Sequence, residues 1–330
     1  MKLLTRGSTL ALVQTERVAS SLRFLGIDVD IERVSTKGDR DTISPLCSFG
    51  GSGAFSSCIE EALLRGMGDG AVHSLKDLPS CCREGLEIAA VCPRDSVEDL
   101  LLCREEQTLE NLPRGAVVGT SSPRRRAQLL RLRPDLSVRE LRGNVATRLQ
   151  KLHDGLYDAI VLAHAGLERL DIRTPNTTPL PFLPAPCQGI IALEAPLNGA
   201  LFPLGERITD RETHLCSIAE RSLLRTLGVG CHVPFAALAE LHGETMLLRA
   251  EILECDGRDS VSLTFERTVG TDEEALDAGR SLGGLFRNEP RAARLLKACA
   301  VPPPPRKEER TQRAGGPSVC TAALAGGDLR

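Results

Sequence analysis

Apolar residues recur along this chain with two periods, and the switches between them mark out its elements. Residues 2–5 read as a short strand. Beyond Arg6-Gly7-Ser8, Leu12, Val18, Leu22 and Leu25 fall on one stripe of a helix that Gly26 closes. Residues 27–35 alternate as a strand should. The segment KGDRDTISPLCSFGGSGAF breaks both periods and, rich in Gly and Ser, predicts a mobile loop. A helix near 55–66 follows, then the strands AVHSL and LEIAAV. The pattern then restarts: strand 116–121, helix 123–133 with Pro123 in its first turn, strand LSVREL, helix 145–154, strand YDAIVLA and helix 165–170. The Pro-rich TPNTTPLPFLPAPCQG predicts a crossing connector. From Asp210, RETHLCSIAERSLLRTLG is a longer amphipathic helix ending at Gly228. It leads through VGCHVP into FAALAEL, TMLLRAEIL and SVSLTFERT, three antiparallel strands, the last two joined at Asp256-Gly257. Helices near 272–286 and 291–299 close this third part. The tail from Pro302, with its PPPP run, reads as disordered.

Strands alternating with helices predict α/β units with largely parallel sheets. A length of 330 residues suits two or three domains. Apolar content of 42% and charged content of 26% are ordinary for a soluble globular chain. Eight Phe, one Tyr and no Trp argue against a stacking platform for single-stranded nucleic acid. A net charge of −3 creates no global field for a polyanion, so no nucleic-acid partner is expected. The twelve cysteines lack a C-x-x-C pair, which argues against a metal site. No apolar run approaches membrane-spanning length, and MKLLTRGSTLAL lacks the regions of a signal peptide. A cytoplasmic protein with free thiols and no membrane partner is the expectation. Without a long exposed apolar stripe, a monomer is expected.

The charges raise a sharper question. In GTSSPRRRAQLL three arginines occupy the opening turn of a helix, where the dipole opposes each cation by about 0.3–1 kcal/mol. Other cations also fall at strand-to-helix junctions, where open α/β sheets bind ligands. Arg6 and Ser8 follow the first strand, and Lys76-Asp77 follows AVHSL. Ser121, Ser122, Arg124 and Arg125 open the second unit; Arg142-Gly143-Asn144, Arg148 and Arg169 come later. A solvated face accounts for any one of these, but their recurrence suggests a shared anionic ligand, because guanidinium groups pair well with carboxylates and phosphates. Neither phosphate-loop nor dinucleotide glycine spacing occurs at these junctions, so a polycarboxylate fits better than a nucleotide. Arg126 points elsewhere on the helix. Taken alone, Asp77 could be a turn former and Cys231 a buried thiol. His73 reads as packing, and His164 and His232 as incidental.

The segments TRGSTLALVQ, AVHSLKDLP, VGTSSPRRRAQL, LRGNVATRLQKL, YDAIVLAHAGLERL, PAPCQG and GCHVP closely resemble, in order and spacing, the porphobilinogen deaminase (hydroxymethylbilane synthase) family over residues 3–298. The resemblance implies an α/β fold of two type II periplasmic-binding-protein-like domains plus a smaller α+β C-terminal domain. It places domain 1 at 1–93 and 188–207, domain 2 at 94–187 and domain 3 at 208–300, with 301–330 a disordered tail. It implies a transferase that joins four porphobilinogen molecules head to tail, releases ammonia at each step and hydrolyses the product to hydroxymethylbilane. The implied cofactor is a dipyrromethane held by a thioether to Cys231. Asp77 matches the catalytic aspartate. Lys76, Asp77, Ser122, Arg124, Arg125, Arg142 and Gly143 are implied to bind the cofactor, and Arg6, Ser8, Arg142, Arg148, Arg169 and Gln188 the substrate. A carboxylate such as Asp77 suits the positive charge that develops on pyrrole nitrogens, and a cysteine thiolate suits capture of the electrophilic azafulvene left when ammonia departs. The chain departs from the family pattern at Ser52 and Ser57, where lysines are common, at Cys58 in place of a glutamate, and at Cys187 in place of a glycine. These departures keep a carboxylate-binding or degenerate homologue as the alternative.

Overall fold

The computed structural model describes residues 1–34 and 56–300. The glycine-rich segment predicted as a mobile loop, with Ser52, and the tail predicted as disordered lie outside the described residues.

The first sheet begins with β1 (Lys2–Arg6), which feeds α1 (Thr9–Phe24). Ser8 caps that helix, its Oγ accepting from the Ala11 amide at 3.3 Å, and Val18, Ala19 and Leu22 form the buried stripe. Next come β2 (Asp30–Val34), α2 (Ser57–Leu64), β3 (Gly70–Ser74) and β4 (Leu86–Val91). The second sheet takes β5 (Asp99–Cys103), β6 (Val117–Gly119), α3 (Pro123–Leu132), β7 (Ser137–Arg139), α4 (Val145–His153), β8 (Ala159–Ala163), α5 (His164–Arg169) and β9 (Thr177–Leu180). The chain returns as β10 (Ile191–Pro196) and α6 (Leu201–Ile208), then runs through α7 (Arg211–Leu227) into β11 (Phe235–His242), β12 (Thr245–Leu253), β13 (Ser260–Thr268), α8 (Asp272–Asn288) and α9 (Pro290–Ala300).

The strand orders are β2-β1-β3-β10-β4 and β7-β6-β8-β5-β9, the same pattern twice. In each sheet one strand runs against the rest: β10 is antiparallel to β3 and β4, and β5 to β8 and β9. Those reversed strands lie just beyond the points where the chain crosses between the sheets. The sequence predicts largely parallel sheets, and the one reversed strand in each is the refinement. Paired open sheets with a crossing strand in each define an α/β fold of two periplasmic-binding-protein-like halves. The antiparallel sheet β11-β12-β13, covered by α7 and α8, adds the smaller α+β part.

Four elements escape the sequence reading: β5, β9, β10 and α6. Every residue of β5 (DLLLC) is buried, so it shows no alternation to read. Thr177–Leu180 hides inside the Pro-rich connector, where Pro179 sits in β9, the edge strand paired to β5 alone. LSVREL, conversely, forms a strand only over Ser137–Arg139.

One carboxylate ties the third part to both crossings. Glu220 on α7 is 0% exposed; its Oε1 lies 2.6 Å from Arg94 Nη1 and accepts from the Ala239 amide at 2.8 Å, and its Oε2 accepts from the Cys187 amide. Arg94 donates from Nε to the Gln188 carbonyl at 2.8 Å. A buried ion pair holds its charges only when its remaining donors and acceptors are met, and here they are met by backbone from two segments, Cys187-Gln188 and Ala239.

Candidate active site

Where the carboxyl ends of the two sheets face one another lies a cleft of about 1000 Å³. Arg6, Ser8, Lys76 and Asp77 line it from the first sheet; Arg125, Arg142, Gly143, Arg148 and Arg169 line it from the second. Local structure explains each placement. Arg6 ends β1 two residues before Ser8, the cap of α1. Lys76 and Asp77 sit in a single 3₁₀ turn, Leu75–Asp77, anchored by the fully buried Leu75. Gly143, with φ of 112°, turns the chain into α4, which Asn144 caps by accepting from the Thr147 amide at 2.9 Å. Arg148, a turn later, donates from Nε to the Gly143 carbonyl at 2.8 Å.

Among the described lining residues, Asp77 is the one carboxylate against six arginines and two lysines. The crowding shows in the titration of the cations. Burial, then repulsion from Arg125, lowers Lys76 to about 8, with Asp77 and Asp99 pulling the other way. Burial and Arg125 also lower Arg148 to about 10, against the attraction of Asp77. Cations held in this state gain when anions enter among them.

Among the cleft arginines, Arg125 and Arg169 are held by carboxylates of the fold at hydrogen-bond distance. Arg125 donates to Asp99 Oδ1 from Nε at 3.0 Å and from Nη2 at 2.7 Å, and to the Val161 carbonyl from Nη1 at 3.0 Å. Arg169 donates from Nε to Asp95 Oδ2 at 2.7 Å and from Nη2 to the Gly189 carbonyl at 2.7 Å. Asp95 also accepts from Arg17 on α1 at 2.7 Å, so one carboxylate joins the two sides of the cleft.

Four residues expected at the site do not line the cleft: Arg124, Ser122, Gln188 and, from the third part, Cys231. Arg124 is 3% exposed, its Nη1 2.7 Å from Asp99 Oδ2 and 2.9 Å from the Leu183 carbonyl. The RRR run therefore has a negative group of the fold's own among its first two members. Asp99 was invisible to the sequence reading because it opens the unrecognised β5. Ser122 caps α3, accepting from the Arg125 amide at 3.4 Å, as its place before Pro123 suits. Gln188 is wholly buried; its Nε2 donates to the Val97 carbonyl at 2.7 Å and Asp99 Oδ1 at 3.0 Å, and its Oε1 accepts from Lys76 at 3.1 Å. It braces Lys76 from behind. Arg126 donates to the Val138 carbonyl at 2.7 Å, away from its two neighbours. His73 is buried, Nε2 3.3 Å from Glu194 Oε2.

Arg33, Thr147 and Lys151 line the cleft without having been singled out, and Ser121, named only as a junction residue, lines it too. Lys151 was findable: on a helix it falls one turn beyond Thr147 and Arg148, on the same face.

Cys231 comes from the third part, in the turn between α7 and β11 that the left-handed Gly228 (φ 68°) starts. It is exposed and outside the cleft lining, yet close enough to its charges to feel them. Protein crowding and the Asp77 carboxylate push its thiol above the ordinary value, and Lys76 pulls it back. Thus the fold brings the thiol of one part towards the carboxylate and ammonium of another. Cys187 takes φ of 61°, the left-handed region that favours glycine. Cys58 lies half-buried at the start of α2, next to Ser57, and neither lines the cleft.

A cation-lined cleft between two like α/β halves, with a carboxylate at its wall and a thiol presented from a third part, defines an enzyme that handles a polycarboxylate. The comparisons with known proteins give the family. Residues 1–199 match the model of the porphobilinogen deaminase dipyromethane cofactor binding domain, and 214–288 that of the porphobilinogen deaminase C-terminal domain. A probable porphobilinogen deaminase of Archaeoglobus fulgidus is 45% identical over 291 residues, covering 86% of this chain and 98% of that protein. The porphobilinogen deaminase of Maridesulfovibrio salexigens is 42% identical over 288 residues, 84% of this chain and 91% of the relative. Among solved structures, a periplasmic substrate-binding protein from Coxiella burnetii is 14% identical with a TM-score of 0.41, over 63% of this chain and 91% of that one. The chain belongs to the porphobilinogen deaminase family, and its cofactor is the dipyrromethane of that family.

Proposed function

We propose that this chain is an active porphobilinogen deaminase, a transferase that condenses four porphobilinogen molecules head to tail, with release of ammonia, and hydrolyses the product to hydroxymethylbilane. The observation that carries the assignment of residues is Asp77, the single cleft-lining carboxylate among the described residues, set among eight described cations and next to the approach of Cys231.

The donor set suits the cofactor. A dipyrromethane bears several carboxylates, and Lys76, Arg125, Arg142 and Arg148 offer ammonium and guanidinium groups from both walls, with Cys231 as the thioether sulfur. When bound, it supplies the pyrrole carbon to which substrate units are joined. Arg6, Ser8 and Arg169 are the contacts for the acetate and propionate of incoming porphobilinogen. Asp77 holds a fixed carboxylate against the positive charge that grows on the substrate pyrrole nitrogen as its ammonia leaves, a preorganised stabilisation that costs no solvent rearrangement. The same carboxylate lies in position to pass protons as each unit is joined. Asp99, by holding Arg125, and Gln188, by holding Lys76, keep two of these cations aimed without touching the ligand themselves. Among the described residues no helix is long and apolar enough to cross a membrane, and we read the enzyme as a cytoplasmic monomer acting on a small molecule.

Intact-mass measurement of the denatured protein is the test. The wild type should carry one dipyrromethane adduct, and Cys231→Ala should carry none and leave porphobilinogen unconsumed. An unmodified wild-type protein that also leaves porphobilinogen unconsumed rejects the assignment.

A further inference from the structure

Far along the chain from the cleft residues, two further thiols converge. Cys255 is exposed in the turn that joins β12 to β13, a turn fixed by the Glu254 amide donating to the Asp259 carbonyl at 2.8 Å and the Gly257 amide donating to the Glu254 carbonyl at 2.9 Å. Cys299 lies near the end of α9, its Sγ 4.0 Å from the carbonyl of Leu253, two residues before Cys255. The two thiols lie near enough to influence one another electrostatically. Their elements are fastened together independently: Arg291 and Arg294 of α9 both pair with Asp259 of the hairpin, the first at 2.5 Å. The other side of the turn rests on α3, so closely that a Cβ at Gly257 would overlap the Ala127 carbonyl. The two thiols are thereby held at one packed junction of hairpin and helix.

We propose that Cys255 and Cys299 form a peroxide-sensitive thiol pair that closes to a disulfide and clasps the last helix to the hairpin. Cys255 thiolate attacks a hydroperoxide oxygen; the O–O bond breaks, water (or an alcohol) leaves with one proton, and Cys255 becomes a sulfenic acid. The Cys299 sulfur then attacks that sulfur, the S–O bond breaks, and a second water departs with the Cys299 proton. Two thiols and one hydrogen peroxide thus give one disulfide and two waters.

The order of roles follows from the contact. The neighbouring Cys299 lowers the Cys255 thiol; partial burial, Asp256 and Glu254 oppose this and Arg126 assists. The same contact raises Cys299, which makes it the resolving partner. Selectivity has a second source, since burial raises the thiols of Cys82, Cys92, Cys103, Cys187 and Cys216.

The test treats full-length enzyme with limiting hydrogen peroxide at pH 7, alkylates the remaining thiols and maps the peptides by mass spectrometry. The 255–299 crosslink should be the first disulfide to form, with the protein lighter by two hydrogen atoms. Each unit by which a thiol is lowered raises its thiolate about tenfold and cuts its nucleophilicity about threefold. Cys255 should accordingly oxidise at least about threefold faster than the exposed Cys81. In Cys299→Ser, Cys255 should stop at the sulfenic acid and be captured by a cyclic 1,3-dione, while porphobilinogen turnover in reducing buffer stays at the wild-type rate. Oxidation of Cys81 without the 255–299 crosslink in the wild type would overturn the proposal, as would equal rates at Cys255 and Cys81.

Discussion

Replacing Asp99 by asparagine should remove about 3 kcal/mol or more of stability although the two side chains have nearly the same shape. Asp99, Arg124 and Arg125 are 0%, 3% and 7% exposed, so little solvent screens them. A charge pair at about 4 Å attracts by about 4 kcal/mol at an effective dielectric of 20. Two such pairs meet at Asp99, one through Oδ1 to Arg125 and one through Oδ2 to Arg124. Much of that attraction offsets the cost of burying the charges, yet removing one partner leaves the others buried and uncompensated, typically 3–5 kcal/mol. Asparagine retains one oxygen for Arg125 but turns an amide donor on Arg124 Nη1. Urea unfolding at pH 7 measures the loss, and a change below about 1 kcal/mol would refute the reasoning. The acid side offers a check of sign. Burial works to raise the Asp99 carboxyl, but Arg124 and Arg125 together hold it well below the usual carboxylate range. A carboxyl lowered on folding stabilises fully above the unfolded value near 4, and the benefit fades as pH falls from there towards the folded value. The gap between wild type and Asp99→Asn should therefore be constant from pH 5 to 7 and narrow below pH 4. Because Arg125 lines the cleft, kcat/KM for porphobilinogen should drop as well.

Asp77→Ala should keep the wild-type melting temperature while losing nearly all turnover of porphobilinogen; substantial residual activity would remove its assigned role. Arg94→Ala strands the fully buried Glu220 and should cost about 3–5 kcal/mol by chemical denaturation; a loss under 1 kcal/mol would show the junction to be slack. Gly189→Ala, at φ 86° with its new Cβ overlapping the Asp95 carbonyl, should destabilise by more than about 2 kcal/mol. Cys187→Gly, two residues away, should by contrast be neutral within about 1 kcal/mol, because relief of the left-handed backbone offsets the loss of a small buried side chain; thermal melts of the pair decide both.

The helices α1, α7 and α8 and the strands β11 to β13 could be read locally, because each is bounded by a cap or turn written into a few neighbouring residues, and α8 and β13 bury one face. Ser8, Ser122 and Asn144 prove to be helix caps, a role the sequence reading did not give them. The strands β5 and β10 were not: buried on both faces, they offer no period, and their reversed direction follows from partners distant in sequence. The junction residues could be enumerated from the chain, and the family resemblance attached chemistry to them, but enumeration assigns no direction to a side chain.

By itself, then, the sequence determined that several cations fall at strand ends, that Asp77 stands beside Lys76, and that a thiol follows a glycine-closed helix. Tertiary structure alone decided which of those cations remain for a ligand. Arg124 turns inward to Asp99, Gln188 withdraws behind Lys76, and Cys231 comes within the field of Asp77 from more than a hundred residues away. Pairing in a buried site depends on distance and on the loss of water, and neither is a property of residues read one after another.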